Sequence, residues 1–341
     1  MVQNGWWGAL SALLIALAVT PLVRKLAFRI GAVDRPNERK VHAGIMPRMG
    51  GLGIYIAFVA AALLFAPRSA QLTGILLANT LIVITGILDD TRDLSPKIKL
   101  LGQVLAALVL MEYGFEVKFL TLPLEGGIVY LERADTIFTV FWLVGVTNAV
   151  NLIDGLDGLA AGTSAIAATT MSVVALMTGQ IQAFVLGLIL VGAIVGFLKY
   201  NFHPASIFMG DTGSMLLGFN LAALAILGMT KSVTVISLLL PVIILGIPIL
   251  DTLWAIVRRA SRGKHIFEAD KKHLHHRLLQ IGLSHRNTVL VIYGVNLFLG
   301  AAAILIQTLG NLWSLAAVAV LAVLLLLFAR WLGALTDHLE P

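Results

Sequence analysis

Val185-Leu-Gly-Leu-Ile-Leu-Val-Gly-Ala-Ile-Val-Gly-Phe197 carries no charged, amide or hydroxyl side chain from end to end. It does not alternate between apolar and polar, so it is not a strand of a membrane barrel. With its apolar flanks it has the length of a membrane-spanning helix, roughly 17–25 residues. Leu315–Phe328 reads the same way. Working outward, the length criterion marks about eleven spans, at roughly 6–28, 50–66, 72–88, 98–113, 135–153, 158–178, 181–198, 213–230, 233–257, 287–308 and 311–332. The expected fold class is therefore an all-α polytopic membrane protein, one domain over residues 1–341.

Composition agrees. Of 341 residues, 59% are hydrophobic and 12% charged, with mean hydropathy +0.94. A soluble domain carries about 25% charged residues, so a soluble enzyme, a disordered tail and a collagen-like fibre are excluded. The absence of cysteine removes disulfides, thiolate metal sites, iron–sulfur clusters and thiol catalysis. The first apolar stretch is too long for a signal h-region and lacks a clean cleavage site, so no cleavable signal is expected.

The cations set the orientation. With the N-terminus outside and the C-terminus in the cytoplasm, all but four of the 24 Lys and Arg fall inside; the exceptions are Arg68, Lys118, Arg133 and Lys231. That asymmetry follows the positive-inside rule. It accounts for the net charge of +6 without nucleic acid as a partner. Outside, residues 114–134 place Gly126-Gly127 between two short apolar stretches, which reads as a small extracytoplasmic hairpin.

The carboxylates are informative because ionisable groups at a membrane mark function. Asp89, Asp90, Asp93, Asp154, Asp157, Asp211 and Asp251 all fall on the cytoplasmic side in this orientation. A transport pathway would place some ionisable groups near mid-membrane; this pattern is that of an interfacial site. Asp89-Asp90 end the third span, where the helix terminus is already partly negative. Arg92, Lys97, Lys99 or a metal ion is expected to compensate; the alternative is a solvated acidic loop. Asn148, Asn151 and Asp154 follow at three-residue steps, with Asp157 one step later across a glycine. Such oxygen donors suit a hard cation such as magnesium, or an Asx turn capping the sixth span.

Further on, Phe208-Met-Gly-Asp211 leads into the eighth span. Asp211 is either that helix's N-cap or part of a phosphate site at its N-terminus. Phe208 stacks on a base or anchors the chain at the interface. Five of the eight histidines lie within 258–286, among them His273, His275 and His276 beside Arg277. A zinc site is weakly indicated there, because His-x-His-His lacks a separated second ligand pair. Anionic headgroups or an anionic substrate fit the basic segment. Arg39 and Arg48 in the first inside loop repeat the theme. Walker A, HExxH, Gly-x-Ser-x-Gly and dinucleotide motifs are absent.

Taken together, Asp34-Arg-Pro-Asn-Glu-Arg-Lys-Val-His42, Met46-Pro-Arg-Met-Gly-Gly51, Asp89-Asp-Thr-Arg-Asp93, Lys97-Ile-Lys-Leu-Leu-Gly-Gln103, Asn148–Gly158, Phe208–Asp211 and His273-Leu-His-His-Arg277 resemble the polyprenyl-phosphate N-acetylhexosamine-1-phosphate transferases over nearly the whole chain. The resemblance implies transfer of a sugar-1-phosphate from a UDP-sugar to a polyprenyl phosphate, with release of UMP. It also implies a need for magnesium, with manganese as a substitute. His273–Arg277, interrupted by Leu274 and followed by Leu278-Leu279, resembles the branch that uses UDP-N-acetylglucosamine and undecaprenyl phosphate. The branch that uses UDP-N-acetylmuramoyl-pentapeptide is the alternative, and a non-enzymatic transporter of anionic lipid is a second one.

The same resemblance implies site roles. Asp89, Asp90 and Asp211 are catalytic, and Asp211 with Asn151 holds the metal. Asp154, Asp157, Asn201 and Phe208 hold the nucleotide. His273, His275, His276 and Arg277 hold sugar and diphosphate, and Lys99, Arg39 and Arg48 contact phosphate. Inside loops 29–49, 89–97, 154–158, 199–212 and 258–286 would then form the active site at a bacterial inner membrane. A homodimer is an open expectation. Pro241, Gly246 and Pro248 are expected to bend the ninth span, next to a groove for the lipid chain.

Overall fold

In the computed structural model, helices occupy the positions of the apolar runs. The structure describes residues 1–34, 44–121, 128–229, 239–261, 263, 273–309 and 311–337. The helices are α1 (Val2–Ile30), α2 (Gly51–Phe65), α3 (Ala70–Arg92), α4 (Pro96–Glu112), α5 (Asp135–Leu152), α6 (Leu159–Met177), α7 (Ile181–Asn201) and α8 (Gly210–Met229). They continue with α9 (Leu239–Ile244), α10 (Gly246–Ser261), α11 (Leu274–Gln280), α12 (His285–Thr308) and α13 (Asn311–Asp337). The chain is an all-α polytopic membrane protein.

Among the described residues, seven helices are long and apolar enough to cross a membrane: α1, α3, α5, α6, α7, α8 and α12. Of the other predicted spans, α2 has 15 residues and α4 has 17, both short of that measure; residues 233–238 of the ninth lie outside the described residues, and the eleventh lies in α13, a helix of 27 residues. The 15 residues of α2 rise only about 22 Å, against a hydrocarbon core of about 30 Å. The ninth span is interrupted at one residue, between α9, which ends at Ile244, and α10, which begins at Gly246; the Leu245 amide still donates to the Pro241 carbonyl and the Ile249 amide to the Leu245 carbonyl. Pro248 lacks the N–H that would have bonded to the Ile244 carbonyl.

Strands are few. β1 (Val33–Asp34) pairs antiparallel with β2 (Met46–Pro47), a pairing that the sequence did not announce. β3 (Phe119–Thr121) pairs antiparallel with β4 (Ile128–Tyr130), as the hairpin expectation requires; its Gly126-Gly127 turn lies outside the described residues.

The central element is α8, the most enclosed of the seven spans, with 83% of its apolar window buried. α2, α3, α5, α6 and α7 all pack on it. Its first turn is held at backbone distance. A Cβ on Gly51 would overlap the backbone of Gly213, and one on Gly86 would overlap Thr212. Only glycine lets α2 and α3 approach this closely. Deeper in the bundle, Asn79 of α3 and Asn220 of α8 exchange two side-chain hydrogen bonds of 3.0 Å, both fully buried. Gln103 of α4 and Asn148 of α5 form a second amide pair, with a 2.6 Å bond from Asn148 Nδ2.

The Asn79–Asn220 pair should fix how far α8 slides against α3. Asn220→Leu leaves the Asn79 amide without its partner in an apolar interior and should cost about 1 kcal/mol. Thermal unfolding in detergent should show the single variant below the parent, and Asn79→Leu/Asn220→Leu recovering most of the loss. A double variant no more stable than the single one would show that the pair is not coupled.

Candidate active site

The site begins with the first turn of α8. A helix N-terminus presents unpaired amides and partial positive charge. Here the acceptor is supplied from another helix. Asp90, near the end of α3 and 2% exposed, accepts from the Asp211 amide through Oδ1 at 3.0 Å. Its Oδ2 accepts from the Thr212 amide at 3.1 Å and the Thr212 hydroxyl at 2.6 Å. Gly210, at φ +72°, leads into the helix, and a Cβ there would meet the Asp90 carboxylate. Asp211 is thus the first acidic residue of α8, but the cap of that helix is Asp90.

Asp89, its neighbour in sequence, points elsewhere. Its Oδ1 accepts from the Leu94 amide at 2.8 Å. Its Oδ2 pairs with Lys99 Nζ at 2.8 Å, and the same ammonium pairs with Asp211 Oδ2 at 2.6 Å. Lys99 is therefore the compensating cation among the candidates that the sequence offered. Asp211 Oδ1 accepts from Asn151 Nδ2 at 3.2 Å, and Asn151 also donates to Ser214 Oγ at 2.8 Å. The carbonyl oxygen of Asn151 is engaged by neither bond. Asp89, Asp90 and Asp211 offer carboxylate oxygens within 4.8 Å of one another. This all-oxygen donor set suits a hard divalent cation. Asp90 is its least available member, because both of its oxygens already serve α8.

A cavity of about 710 Å³ opens beside this cluster. Asn151, Asp154, Asp157, Asn201, Phe208 and Asp211 all line it, as do Arg48 and His276. The loop between α5 and α6 forms one wall and is tied down from three sides. Asn201 accepts from the Gly158 amide at 3.1 Å and donates to the Ile207 carbonyl at 3.0 Å. The Tyr293 hydroxyl donates to the Gly158 carbonyl at 2.5 Å. His285 Nε2 accepts from the Asp157 amide at 2.9 Å. Asp157 Oδ2 meets His203 Nδ1 at 2.9 Å and the Ala205 amide at 3.1 Å. Phe208 is half-buried, and its backbone bonds to Pro47 and Gly50 fix its place in the wall. Burial, then the charges of Asp211, Asp90 and Asp157, push the Asp154 carboxyl up to about 8.

Arg48 joins the first loop to the end of α3: its Nε donates to the Asp90 carbonyl at 3.1 Å and its guanidinium pairs with Asp93 at 2.7 Å. Arg39 lies outside the described residues. In the histidine segment, Asp251 of α10 accepts from the Leu274 amide at 2.9 Å and meets His273 Nδ1 at 2.8 Å. It caps α11 and fixes the His273 ring. His275 is buried against Gly155, its Nε2 has no hydrogen-bond partner, and desolvation and the neighbouring His276 lower it to about 3. Arg277 is half-buried on α11. Of the four residues expected to grip sugar and diphosphate, His276 lines the cavity. Three contributors had no role assigned from sequence: His203, His285 and Asp251. They sit far along the chain from the residues they contact, so spacing alone carries no signal for them.

Comparison with known proteins bears on this arrangement. The model of glycosyl transferase family 4 matches residues 72–229. A Bacillus subtilis (strain 168) protein, named "probable undecaprenyl-phosphate N-acetylglucosaminyl 1-phosphate transferase", is 44% identical over 97% of this chain and 92% of its own length. The chain belongs to glycosyl transferase family 4. The matched segment of the family runs from α3 to α8 and contains the acidic cluster, Lys99 and the α5–α6 loop. A decaprenyl-phosphate N-acetylglucosaminephosphotransferase of Mycobacterium tuberculosis (strain ATCC 25618 / H37Rv) is 41% identical over 83% of this chain and 78% of that protein. A phospho-N-acetylmuramoyl-pentapeptide-transferase of Geobacillus kaustophilus (strain HTA426) is 35% identical over 87% and 98%.

The raised Asp154 carboxyl has a consequence for stability. The folded chain keeps a proton that the unfolded chain releases at an ordinary carboxylate pKa, near 4. Stability therefore falls as pH rises from about 4 to about 8. In EDTA, Asp154→Asn should raise the unfolding temperature more at pH 8 than at pH 5.5. An equal effect at both pH values would contradict the shift.

Proposed function

We propose that this chain transfers N-acetylglucosamine-1-phosphate from UDP-N-acetylglucosamine to undecaprenyl phosphate. The phosphate oxygen of the lipid attacks the β-phosphorus. The bond from that phosphorus to the bridging oxygen breaks, UMP leaves with that oxygen, and undecaprenyl-diphosphate-N-acetylglucosamine remains. The observation that carries the reading is the 44% identity over nearly the whole chain to the Bacillus subtilis relative, together with a carboxylate–lysine cluster at a cavity of nucleotide-sugar size. On this reading the site faces the cytoplasm across a bacterial inner membrane, where UDP-sugars are found and where the positive-inside rule puts the basic loops.

A phosphate monoester has a second pKa near 6, so the nucleophile is already ionised at neutral pH. A strong base is not required; the obstacle is bringing two anions together. Positioning and charge neutralisation then carry the rate. Lys99 contributes one positive charge at Asp89 and Asp211, and Asp89 holds that ammonium in place. Asp90 acts through Asp211 as a positioning residue, because its oxygens are committed to α8. Asp211 and Asn151, with Asp89, are the residues that would hold magnesium, which when bound supplies further neutralisation of the diphosphate. Asp154, Asp157 and Phe208 wall the nucleotide space, and Asn201 keeps that wall in place. His276 and Arg48 reach the same cavity and suit the diphosphate or sugar.

Purified full-length protein with magnesium and undecaprenyl phosphate should release UMP from UDP-N-acetylglucosamine. Asp211→Asn should lower the rate by about 100-fold or more, and EDTA should abolish it. UMP released from UDP-N-acetylmuramoyl-pentapeptide alone would contradict the assigned substrate. No UMP from either, with the protein folded, would contradict the transferase reading.

A further inference from the structure

Asp157, His203 and His285 come from three separate elements: the α5–α6 loop, the α7–α8 loop and the first residue of α12. All three line the cavity. None of them belongs to the Asp89–Lys99–Asp211 cluster. Their ligating atoms lie within 4.8 Å of one another. The two imidazole rings stack with centroids 4.3 Å apart. Asp157 Oδ2 is bonded to His203 Nδ1, and the Asp157 amide to His285 Nε2, each at 2.9 Å.

Two imidazole nitrogens and one carboxylate oxygen form a softer donor set than the all-oxygen cluster at Asp211. Such a set favours zinc and its neighbours over magnesium, which takes oxygen ligands and keeps its waters. We propose that Asp157, His203 and His285 form a second cation site, of the zinc class, with three protein ligands and its remaining position open to the cavity. Tetrahedral ligands of zinc stand about 3.4 Å apart, given bonds of about 2.0–2.2 Å. Since the three ligating atoms lie within 4.8 Å of one another, reaching that spacing takes a closure of at most about 1.4 Å. His203 can supply the movement, since its side chain is 41% exposed, and the ion takes the place of two hydrogen bonds, Asp157 Oδ2 with His203 Nδ1 and the Asp157 amide with His285 Nε2. The Ala205 amide, 3.1 Å from Asp157 Oδ2, orients the carboxylate from behind, the kind of outer support that metal-ligating groups use.

An ion at this position engages Asp157 and stands in the space assigned above to the nucleotide. Zinc should therefore inhibit turnover by acting at the cavity wall, separately from any exchange with magnesium at Asp211. That consequence rests on the transferase reading; the binding of the ion does not.

Cobalt(II) is the probe, because three-protein-ligand sites with nitrogen donors give it visible d–d absorption. Full-length protein in detergent with saturating magnesium should bind one equivalent, and zinc but not further magnesium should displace it. His203→Ala should weaken cobalt binding by about tenfold or more, whereas Asp211→Asn should retain it. Metal-free unfolding temperatures establish that both variants are folded, and His203→Gln repeats the test if His203→Ala proves unstable. Cobalt absorption that survives both His203 variants and disappears in Asp211→Asn would overturn the proposal, as would no absorption at all. As a separate arm, zinc should lower UMP release by the parent more than by His203→Ala, each relative to its own zinc-free rate. Equal inhibition would place the zinc effect elsewhere. If UMP release is absent altogether, the transferase reading fails and the cobalt titration still decides the site.

Discussion

The structure depends on one buried carboxylate. Asp90 sits at the N-terminus of α8 and takes three hydrogen bonds from Asp211 and Thr212. The partial positive charge of the helix end offsets the cost of burying that anion. Since α8 is the helix on which five others pack, tying its first turn to α3 sets where Asp211 stands relative to Asp89. Gly51 and Gly86 make the approach sterically feasible, and the Asn79–Asn220 pair holds the same two helices together deeper in the membrane. The capping bond and the Gly86 contact thus act on one geometric quantity, the α3–α8 offset, while Gly51 brings α2 to the same turn.

Around that fixed point the charges are strongly one-sided. Asp90, Asp157 and Asp211 all border the cavity, and Lys99 bridges Asp89 and Asp211. Buried anions of this density require cationic partners. One lysine satisfies part of that demand, and Arg48 pins the end of α3. On the proposed function, the rest of the demand would be met by a bound cation, and affinity for an anionic substrate in an acidic cavity would be a consequence of that incomplete neutralisation.

Most of the helical architecture was legible in the sequence because lipid leaves no alternative to continuous apolar helices. The exceptions have physical causes. α2 is short, and the ninth span is interrupted at Leu245, about one turn before Pro248, which lacks an N–H to donate. Many of the residues that line the cavity stood out in the sequence, but how each is engaged did not. Asp89 and Asp90 look equivalent side by side, yet one helical step of about 100° turns one toward Lys99 and the other into α8. Asn201, expected to hold nucleotide, uses its amide to join two loops. The meeting of Asp157 with His203 and His285 is set by how α7 and α12 converge on one loop, which no local pattern encodes. Arg39 lies outside the described residues.

The central claim is that Asp90 holds the first turn of α8, and amide hydrogen exchange reads that turn directly. In the parent, the Asp211 and Thr212 amides should exchange slowly. Asp90→Ala should accelerate exchange in a peptide covering residues 208–216 while the rest of α8 stays protected, and Asp89→Ala should leave that peptide nearly unchanged. Unaltered protection in Asp90→Ala, or the same acceleration in both variants, would contradict the account.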